Sequence, residues 1–145
     1  MKDTKYRIIP YKCAGPITFE MTEDDVRKTA GEPLSVSTNF FGTKSFIYDE
    51  INIGFSRNSG KVKHIGFGCG INVEIANIEV FKDSNAFEKL LTMDGDPYES
   101  VGFIVLVKFG ISLTGFHDED EKSVNAFARG EHDDIKEKGR RFTLE

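Results

Sequence analysis

The histidines and cysteines are the residues of this chain that would most readily bind a metal ion or act as nucleophiles. His64, His117 and His132 show no metal-ligand spacing with one another or with a cysteine, so no HExxH or zinc-finger pattern exists. His64 falls in an alternating strand pattern and is expected on its polar face. Cys13 and Cys69 lack CxxC spacing and are too few for a disulfide scaffold. We therefore predict two free, largely buried thiols and no metal site.

Other residues with catalytic potential are better explained by backbone structure. Asp94 and Asp96 could supply a carboxylate pair for acid–base catalysis, but Asp-Gly-Asp followed by Pro97 is typical of a turn. The glycine-rich stretch 66–70 lacks the dinucleotide-binding spacing, and the chain contains no P-loop or nucleophile-elbow motif. We predict that the protein is not an enzyme and uses no cofactor.

Acidic residues are concentrated in two short stretches near the C-terminus. The first stretch follows His117 and lacks the spacing of an EF-hand calcium loop. Carboxylates concentrated in this way make a negative patch that steers and orients a basic partner. The predicted partner-binding residues are a first set, Asp118, Glu119, Asp120 and Glu121, and a second set, Glu131, Asp133 and Asp134.

Length and charge limit the architecture and the partners. The 145 residues suit a single domain spanning 1–145 that can bury a core without disulfide support. The net charge of −5 disfavours binding to phosphate backbones, so we expect no nucleic-acid partner. The basic segment 136–141 is expected to balance the acids before it, and residues 129–145 are predicted to form a loosely ordered charged tail.

The N-terminal residues and the apolar runs predict the compartment. Residues 1–7 lack the apolar segment of a signal peptide. No run approaches the ~20 apolar residues of a membrane-spanning helix. We expect a cytoplasmic protein with no membrane partner.

Residues 19–33 contain the clearest local signal, a short helix with both ends encoded. Thr22 and Asp25 have the spacing of a capping box at its start. Gly31 suits the left-handed residue that closes a helix, and Pro33 prevents its continuation. The pattern predicts a helix from about Glu23 to Ala30.

Most of the remaining chain alternates between apolar and polar residues over short runs. Residues 51–55 and 61–67 alternate with a period of two, which is typical of half-buried strands. A second helix is predicted to begin near 83–85, and the apolar run 101–109 is predicted to be a central strand buried on both faces. We predict an α+β fold: an antiparallel, strongly twisted meander sheet with two short helices packed on it.

Glycines recur inside one of the predicted strands, at Gly66, Gly68 and Gly70. Glycine within a strand weakens it and often marks a bulge or a close backbone approach. Two interpretations are open at this point: a bend in the sheet, or a sheet edge that accepts a strand from a partner.

Residues 10–22 resemble the opening of a family of small bacterial proteins. They read Pro-Tyr-Lys-Cys-Ala-Gly-Pro-Ile-Thr-Phe-Glu-Met-Thr and are similar to a stretch in cytoplasmic immunity proteins of contact-dependent growth inhibition and related polymorphic toxin systems. The resemblance implies a one-to-one complex with a cognate toxin, a nuclease domain delivered from a neighbouring cell, whose active site is occluded. It further implies strand addition at a sheet edge as a mode of pairing.

The acidic composition agrees with this resemblance, because nucleases carry basic surfaces that bind phosphate chains. We therefore predict an immunity protein that neutralises its toxin through an acidic surface and by strand addition. A local similarity to small outer-membrane assembly lipoproteins, over 16–33 with Glu20 in place of their glycine, leaves a second hypothesis. Under that hypothesis the protein is a non-catalytic scaffold or assembly protein of the bacterial envelope.

Overall fold

The computed structural model describes residues 4–117 and 121–143, and within these ranges it contains two β-sheets and three short helices. The helices are α1 (Glu23–Ala30), α2 (Ala86–Asp94) and α3 (Ile135–Lys138). The strands are β1 (Lys5–Ile9), β2 (Cys13–Ala14), β3 (Ile17–Thr18), β4 (Ser35–Thr38), β5 (Lys44–Tyr48), β6 (Ile51–Phe55), β7 (Val62–Gly68), β8 (Asn72–Ile75), β9 (Ile78–Glu79), β10 (Tyr98–Ser100), β11 (Phe103–Leu106), β12 (Ile111–Thr114), β13 (Ser123–Phe127) and β14 (Arg140–Arg141).

The larger sheet has nine strands, all antiparallel, in the order β14-β10-β11-β12-β13-β7-β6-β5-β4. Two runs of consecutive hairpins, β4 to β7 and β10 to β13, meet where Gly66 of β7 lies opposite Asn125 of β13. The predicted α+β class with antiparallel strands is confirmed. The prediction of one continuous meander is wrong, because the β7–β13 pairing joins strands far apart in sequence, which local alternation does not specify.

The smaller sheet has five strands in the order β3-β2-β1-β8-β9. Its central pair, β1 and β8, is parallel, with Tyr6 opposite Val73. A parallel pair needs a long connection, and here that connection includes α1 and four strands of the larger sheet. This second sheet is a further departure from the single sheet that the sequence predicts.

The helix boundaries follow the capping residues. The Thr22 backbone N–H donates a hydrogen bond to the Asp25 carboxylate at 3.1 Å, so the predicted capping box of α1 is present. Gly31 ends α1 with a φ of +86°, and Gly95 ends α2 in the left-handed region. The prediction of two helices is wrong, since the four-residue α3 forms within the segment predicted as a tail.

The core lies between one face of the nine-stranded sheet, its inner face, and a layer made by the five-stranded sheet with α1 and α2. Ile65 of the larger sheet, Ile75 of the smaller sheet, Val26 of α1 and Leu90 of α2 belong to one continuous cluster of buried side chains. Burial of the apolar side chains of this cluster provides the main favourable contribution to folding. The opposite face of the nine-stranded sheet, its outer face, is covered only in part.

Candidate functional site

The outer face of the nine-stranded sheet carries polar residues at its centre. Ile53 and Ile65 point into the core, so the alternating residues Asn52 and Gly66 point outwards, as does Asn125 in β13. These three residues lie opposite one another across β6, β7 and β13. Small and polar residues thus occupy the middle of the outer face, whereas the inward-pointing residues of the same three strands are apolar.

Glycines in β7 allow neighbouring polar side chains to lie flat on this face. A Cβ atom on Gly66 would lie 3.1 Å from Asn125 Oδ1, and one on Gly68 would lie 2.9 Å from Glu50 Oε1. The glycines therefore provide space for side chains that cross over the strand. Interpretation of these glycines as a sheet edge is wrong, because β7 lies between β6 and β13.

The polar side chains surround an open cavity of about 380 Å³ on the outer face, termed here the polar trough. It is lined by Glu50, Asn52, His64, Gly66, Phe67, Gly68, Phe103, Glu121, Ser123, Val124 and Asn125. Among the described residues this lining includes two carboxylates, Glu50 and Glu121, and no lysine or arginine. Phe103, with 46% of its surface exposed, adds an apolar wall.

Glu50 is held over the floor of the polar trough by the backbone. It belongs to the two-residue turn between β5 and β6 and has a positive φ of 61°. Its Oε1 accepts a hydrogen bond from the Gly70 N–H at 3.1 Å. Glu50 forms no ion pair with the residues that the structure describes. A side chain in a sparsely populated backbone region, held by a specific hydrogen bond, is a feature common at functional sites.

His64 forms the other end of the trough and is neutral at pH 7. Its burial lowers the pKa from 6.5 to about 4, and the nearby charge of Lys63 acts in the same direction. The imidazole ring lies over Gly54, where an added Cβ would overlap the ring. Its Nδ1 is buried with no hydrogen-bond partner within 4–117 and 121–143. His64 is therefore on the outer face, as predicted, and does not offset the charge of Glu50.

The opposite end of the outer face is closed by α3 and is termed here the covered end. It consists of Tyr11, Tyr98, Val105, Phe127 and Ile135. Ile135, which is 4% exposed, packs on Phe127 in a small cluster separate from the main core. Tyr11 meets Phe127 edge to face at a ring separation of 5.8 Å. These contacts bury the outer face where β11 and β13 carry apolar residues.

The two predicted acidic sets are separated by β13. Glu121 of the first set lies two residues before β13 and lines the polar trough, whereas Asp118, Glu119 and Asp120 lie outside the described residues. The second set, Glu131, Asp133 and Asp134, follows β13 near the covered end. A five-residue strand spans about 16 Å. Glu121 and the second set therefore lie toward opposite ends of β13.

The second set is also accompanied by basic residues. Asp134 forms an ion pair with Lys138 at 2.9 Å, which lowers the pKa of its carboxyl. Asp133 lines a separate cavity of about 600 Å³ together with Lys108 and Arg129. The prediction that the basic segment balances the preceding acids is confirmed for Lys138 only, since Lys136 and Arg141 pair with Asp96 and Arg140 pairs with Glu99.

The open edge of the nine-stranded sheet is β4, which pairs only with β5 among the described residues. Leu34, Val36, Phe40 and Phe41 are all large, apolar and exposed at or beside this edge, with Phe40 97% exposed. Phe40 and Phe41, termed here the apolar tip, stack edge to face at 5.6 Å. Large apolar residues gathered at one edge are a typical feature of interaction surfaces.

The turn that carries the apolar tip is well ordered by hydrogen bonds. The Asn39 side-chain oxygen accepts bonds from the N–H groups of Phe41 and Thr43 at 3.0 and 2.9 Å. Arg57 donates a further bond to the Phe41 carbonyl oxygen at 3.1 Å. A turn held in this way presents its aromatic rings at low entropic cost to a partner.

The other residues singled out for chemistry have structural partners. Asp94 accepts bonds from the Asp96 and Lys108 N–H groups at 3.0 and 3.2 Å, and burial raises its pKa. The predicted turn is thus present after α2. Cys13 is buried and Cys69 is exposed, and both are free, so the prediction that both are largely buried is wrong for Cys69. The described part of the chain contains no group of three His, Cys, Asp or Glu side chains able to hold a metal ion.

Sequence reasoning did not identify Glu50, Asn52, Phe103 or Asn125 as site residues. The available signal was the presence of glycine and asparagine at outward positions of strands whose inward positions are apolar. Their juxtaposition depends on the β7–β13 pairing, which the sequence pattern did not specify.

None of the helices in the described ranges is long and apolar enough to cross a membrane. The chain matches no protein-family model, no curated protein and no solved structure.

Proposed function

We propose that this protein is an immunity protein that binds and neutralises a cognate bacterial toxin, a nuclease domain, in the cytoplasm. It acts by covering the toxin's active site and contributes no catalytic group or cofactor of its own. The observation that carries the proposal is the β4 edge, whose backbone pairs only with β5 among the described residues, together with the adjoining apolar tip. A strand edge and a pair of exposed aromatic rings are suited to binding a protein rather than to catalysis.

Charge provides the second support. A nuclease active site is basic because it binds phosphates, and an acidic inhibitor complements it. The chain has a net charge of −5, and its polar trough contains Glu50 and Glu121 without a lysine or arginine in the described lining. Charge complementarity would select a basic partner, while the apolar tip would supply buried anchors.

Co-purification tests the proposal directly. The chain is co-expressed with the product of the gene directly upstream, tagged on its C-terminal ~200–300 residues, the size of one or two domains. A stable one-to-one complex, with toxicity when this chain is omitted, is the expected result. Absence of both the complex and the toxicity would reject the immunity role.

The contribution of the apolar tip is measured with the complex. Replacing Phe40 and Phe41 with serine should weaken toxin binding by about tenfold or more, since buried aromatic anchors dominate interface energies. Stability of the free protein should be unchanged, because both rings are exposed. Met93→Ser, which alters an exposed apolar residue at the end of α2, is the matched control. Equal affinities for all three proteins would remove the tip from the interface.

The acidic part of the proposal is measured by charge reversal. Lysine substitutions at the first set, Asp118, Glu119, Asp120 and Glu121, should weaken toxin binding several-fold and flatten its salt dependence. The same change at the second set, Glu131, Asp133 and Asp134, should have a smaller effect, because Asp134 already has a basic neighbour. Unchanged affinity in the first variant would reject the electrostatic contribution.

A further inference from the structure

We infer that the polar trough binds the guanidinium group of an arginine side chain presented by the partner protein. The inference rests on the proposed function only for the source of the arginine. The trough itself favours a flat organic cation. The residues that provide this preference are Glu50, Asn52, Gly66, Gly68, Phe103 and Asn125.

β7 has no outward side chain of its own at Gly66 or Gly68, and the Asn125 and Glu50 side chains lie over these two positions. Adjacent strands of a sheet are about 4.8 Å apart, so side chains from the neighbouring strand and turn reach across β7 and place two polar groups close to its backbone. Glycine permits a ligand to approach the backbone closely. A planar group with several N–H donors can bond to both polar groups at once, whereas the three donors of a compact ammonium group diverge from one atom.

The polar groups of the trough include hydrogen-bond acceptors suited to N–H donors. The Glu50 carboxylate is fixed above Gly68 by the Gly70 N–H and has no ion pair within the described ranges. Asn125 Oδ1 lies directly above Gly66. A guanidinium group has five N–H donors in a fixed plane and binds a carboxylate through two parallel hydrogen bonds.

Phe103 distinguishes a guanidinium from a simple cation. Its ring lines the trough and remains 46% exposed. Guanidinium groups stack on aromatic faces and are less strongly hydrated than ammonium groups, so they lose less on entering an apolar-walled site. The described lining contains two carboxylates besides its amide oxygens, and the described residues include no group of three His, Cys, Asp or Glu side chains able to hold a metal ion.

The test is a titration of the free protein followed by ¹H–¹⁵N NMR, with N-acetyl-arginine methylamide as the probe. We expect saturable shifts of the Gly66 and Gly68 amides and of the Asn52 and Asn125 side-chain amides. The isosteric, uncharged N-acetyl-citrulline methylamide should bind about tenfold more weakly, because it lacks the charge-assisted hydrogen bonds. N-acetyl-lysine methylamide should also bind more weakly.

Two variants and a control locate the site. Glu50→Gln should weaken binding of the arginine probe about fivefold or more, and Gly66→Leu should abolish it by filling the trough. Asp24→Asn removes an exposed carboxylate on α1 and should leave binding unchanged. If Gly66→Leu fails to fold, the Glu50→Gln comparison with Asp24→Asn still decides the question.

Equal binding of the arginine and citrulline probes, or shifts that Glu50→Gln does not reduce, would overturn the inference. If free L-arginine bound about tenfold more tightly than the capped probe, the trough would be assigned to a free metabolite. That result would overturn the assignment to a partner protein. Because the titration uses no toxin, its failure leaves the co-purification result standing, and failure of co-purification leaves the titration result standing.

Discussion

The two ends of the outer face of the nine-stranded sheet share the same strands but are filled in different ways. At the covered end, Phe127 and Val105 point outwards and Ile135 of α3 packs on them. At the polar trough, the outward positions of β7 are Gly66 and Gly68, and no described element covers them. A change in outward residues from apolar to glycine within a single sheet is therefore enough to leave an open site.

The comparison indicates that the covered end contributes more to stability than the trough does. Burial of apolar surface stabilises the covered end, and removal of a side chain there should reduce stability. The trough buries little apolar surface, so substitutions there should cost less stability.

Ile135→Ala should lower the free energy of unfolding by about 3 kcal/mol, because it removes buried methyl groups from the covered end. Phe103→Ala at the trough should cost less than about 1 kcal/mol, since that ring is nearly half exposed. Urea unfolding followed by circular dichroism measures both. Equal losses would contradict the division between the two ends.

Gly54→Ala should destabilise the protein by about 2 kcal/mol, because the added methyl group overlaps the His64 ring. In a His64→Ala background the same change should cost less than about 1 kcal/mol, since the space is then vacant. A double-mutant cycle of unfolding free energies tests this directly. A cost that is the same in both backgrounds would show that His64 does not occupy the space above Gly54.

The pH dependence of the free energy of unfolding should show the lowered pKa of His64. Its folded pKa of about 4 is below its ordinary value of 6.5, so the unfolded chain takes up a proton as the pH falls and the folded chain does not. This contribution should lower the free energy of unfolding by about 2 kcal/mol between about pH 7 and pH 5. Unfolding titrations at several pH values measure it.

His64→Gln should remove most of that loss. His132→Gln is the comparison at the covered end, where burial also lowers the pKa of the histidine but the neighbouring charges of Glu131 and Asp134 oppose the shift. The effect of His132→Gln should therefore be smaller. A wild-type slope that persists in His64→Gln would assign the titration to another group.

Val101→Asn should stabilise the protein by about 1 kcal/mol. Val101 and Gly102 form the two-residue turn of the β10–β11 hairpin, and both have positive φ values, 51° and 85°. A β-branched residue is strained in this region, whereas Asn-Gly is the preferred pair for such a turn. Thermal unfolding measures the change, with Val36→Asn in β4 as the control that should not stabilise. A lower melting temperature for Val101→Asn would contradict the account of this turn.

Helices and hairpins whose ends are encoded by residues close together in the sequence could be predicted from the sequence. Thr22, Asp25 and Gly31 encode both ends of α1, and the helix has the predicted bounds. The hairpin of β11 and β12 follows from two apolar runs around Gly110. The pairing of β7 with β13 could not be predicted, because alternation specifies which face a residue occupies but not which strand lies beside it.

The candidate site could be predicted only in part for the same reason. Glu121 was selected for its place in an acidic stretch and does line the polar trough. Glu50 and Asn125 are brought together by two separate hairpins and the β7–β13 pairing. The sequence also groups Glu121 with the second acidic set because both are acidic. β13 separates them in the structure, since a charge pattern in sequence carries no information on distance.

The most direct test of the proposed function is carboxylate labelling of the free protein and of its complex with the proposed toxin, read by mass spectrometry. Glu50 at the polar trough and Glu131 near the covered end are both exposed in the free protein and should label. We predict that complex formation protects Glu50 and Glu121 strongly while Glu131 continues to react. Protection of Glu131 with continued labelling of Glu50 would contradict the assignment of the polar trough as the partner-binding surface.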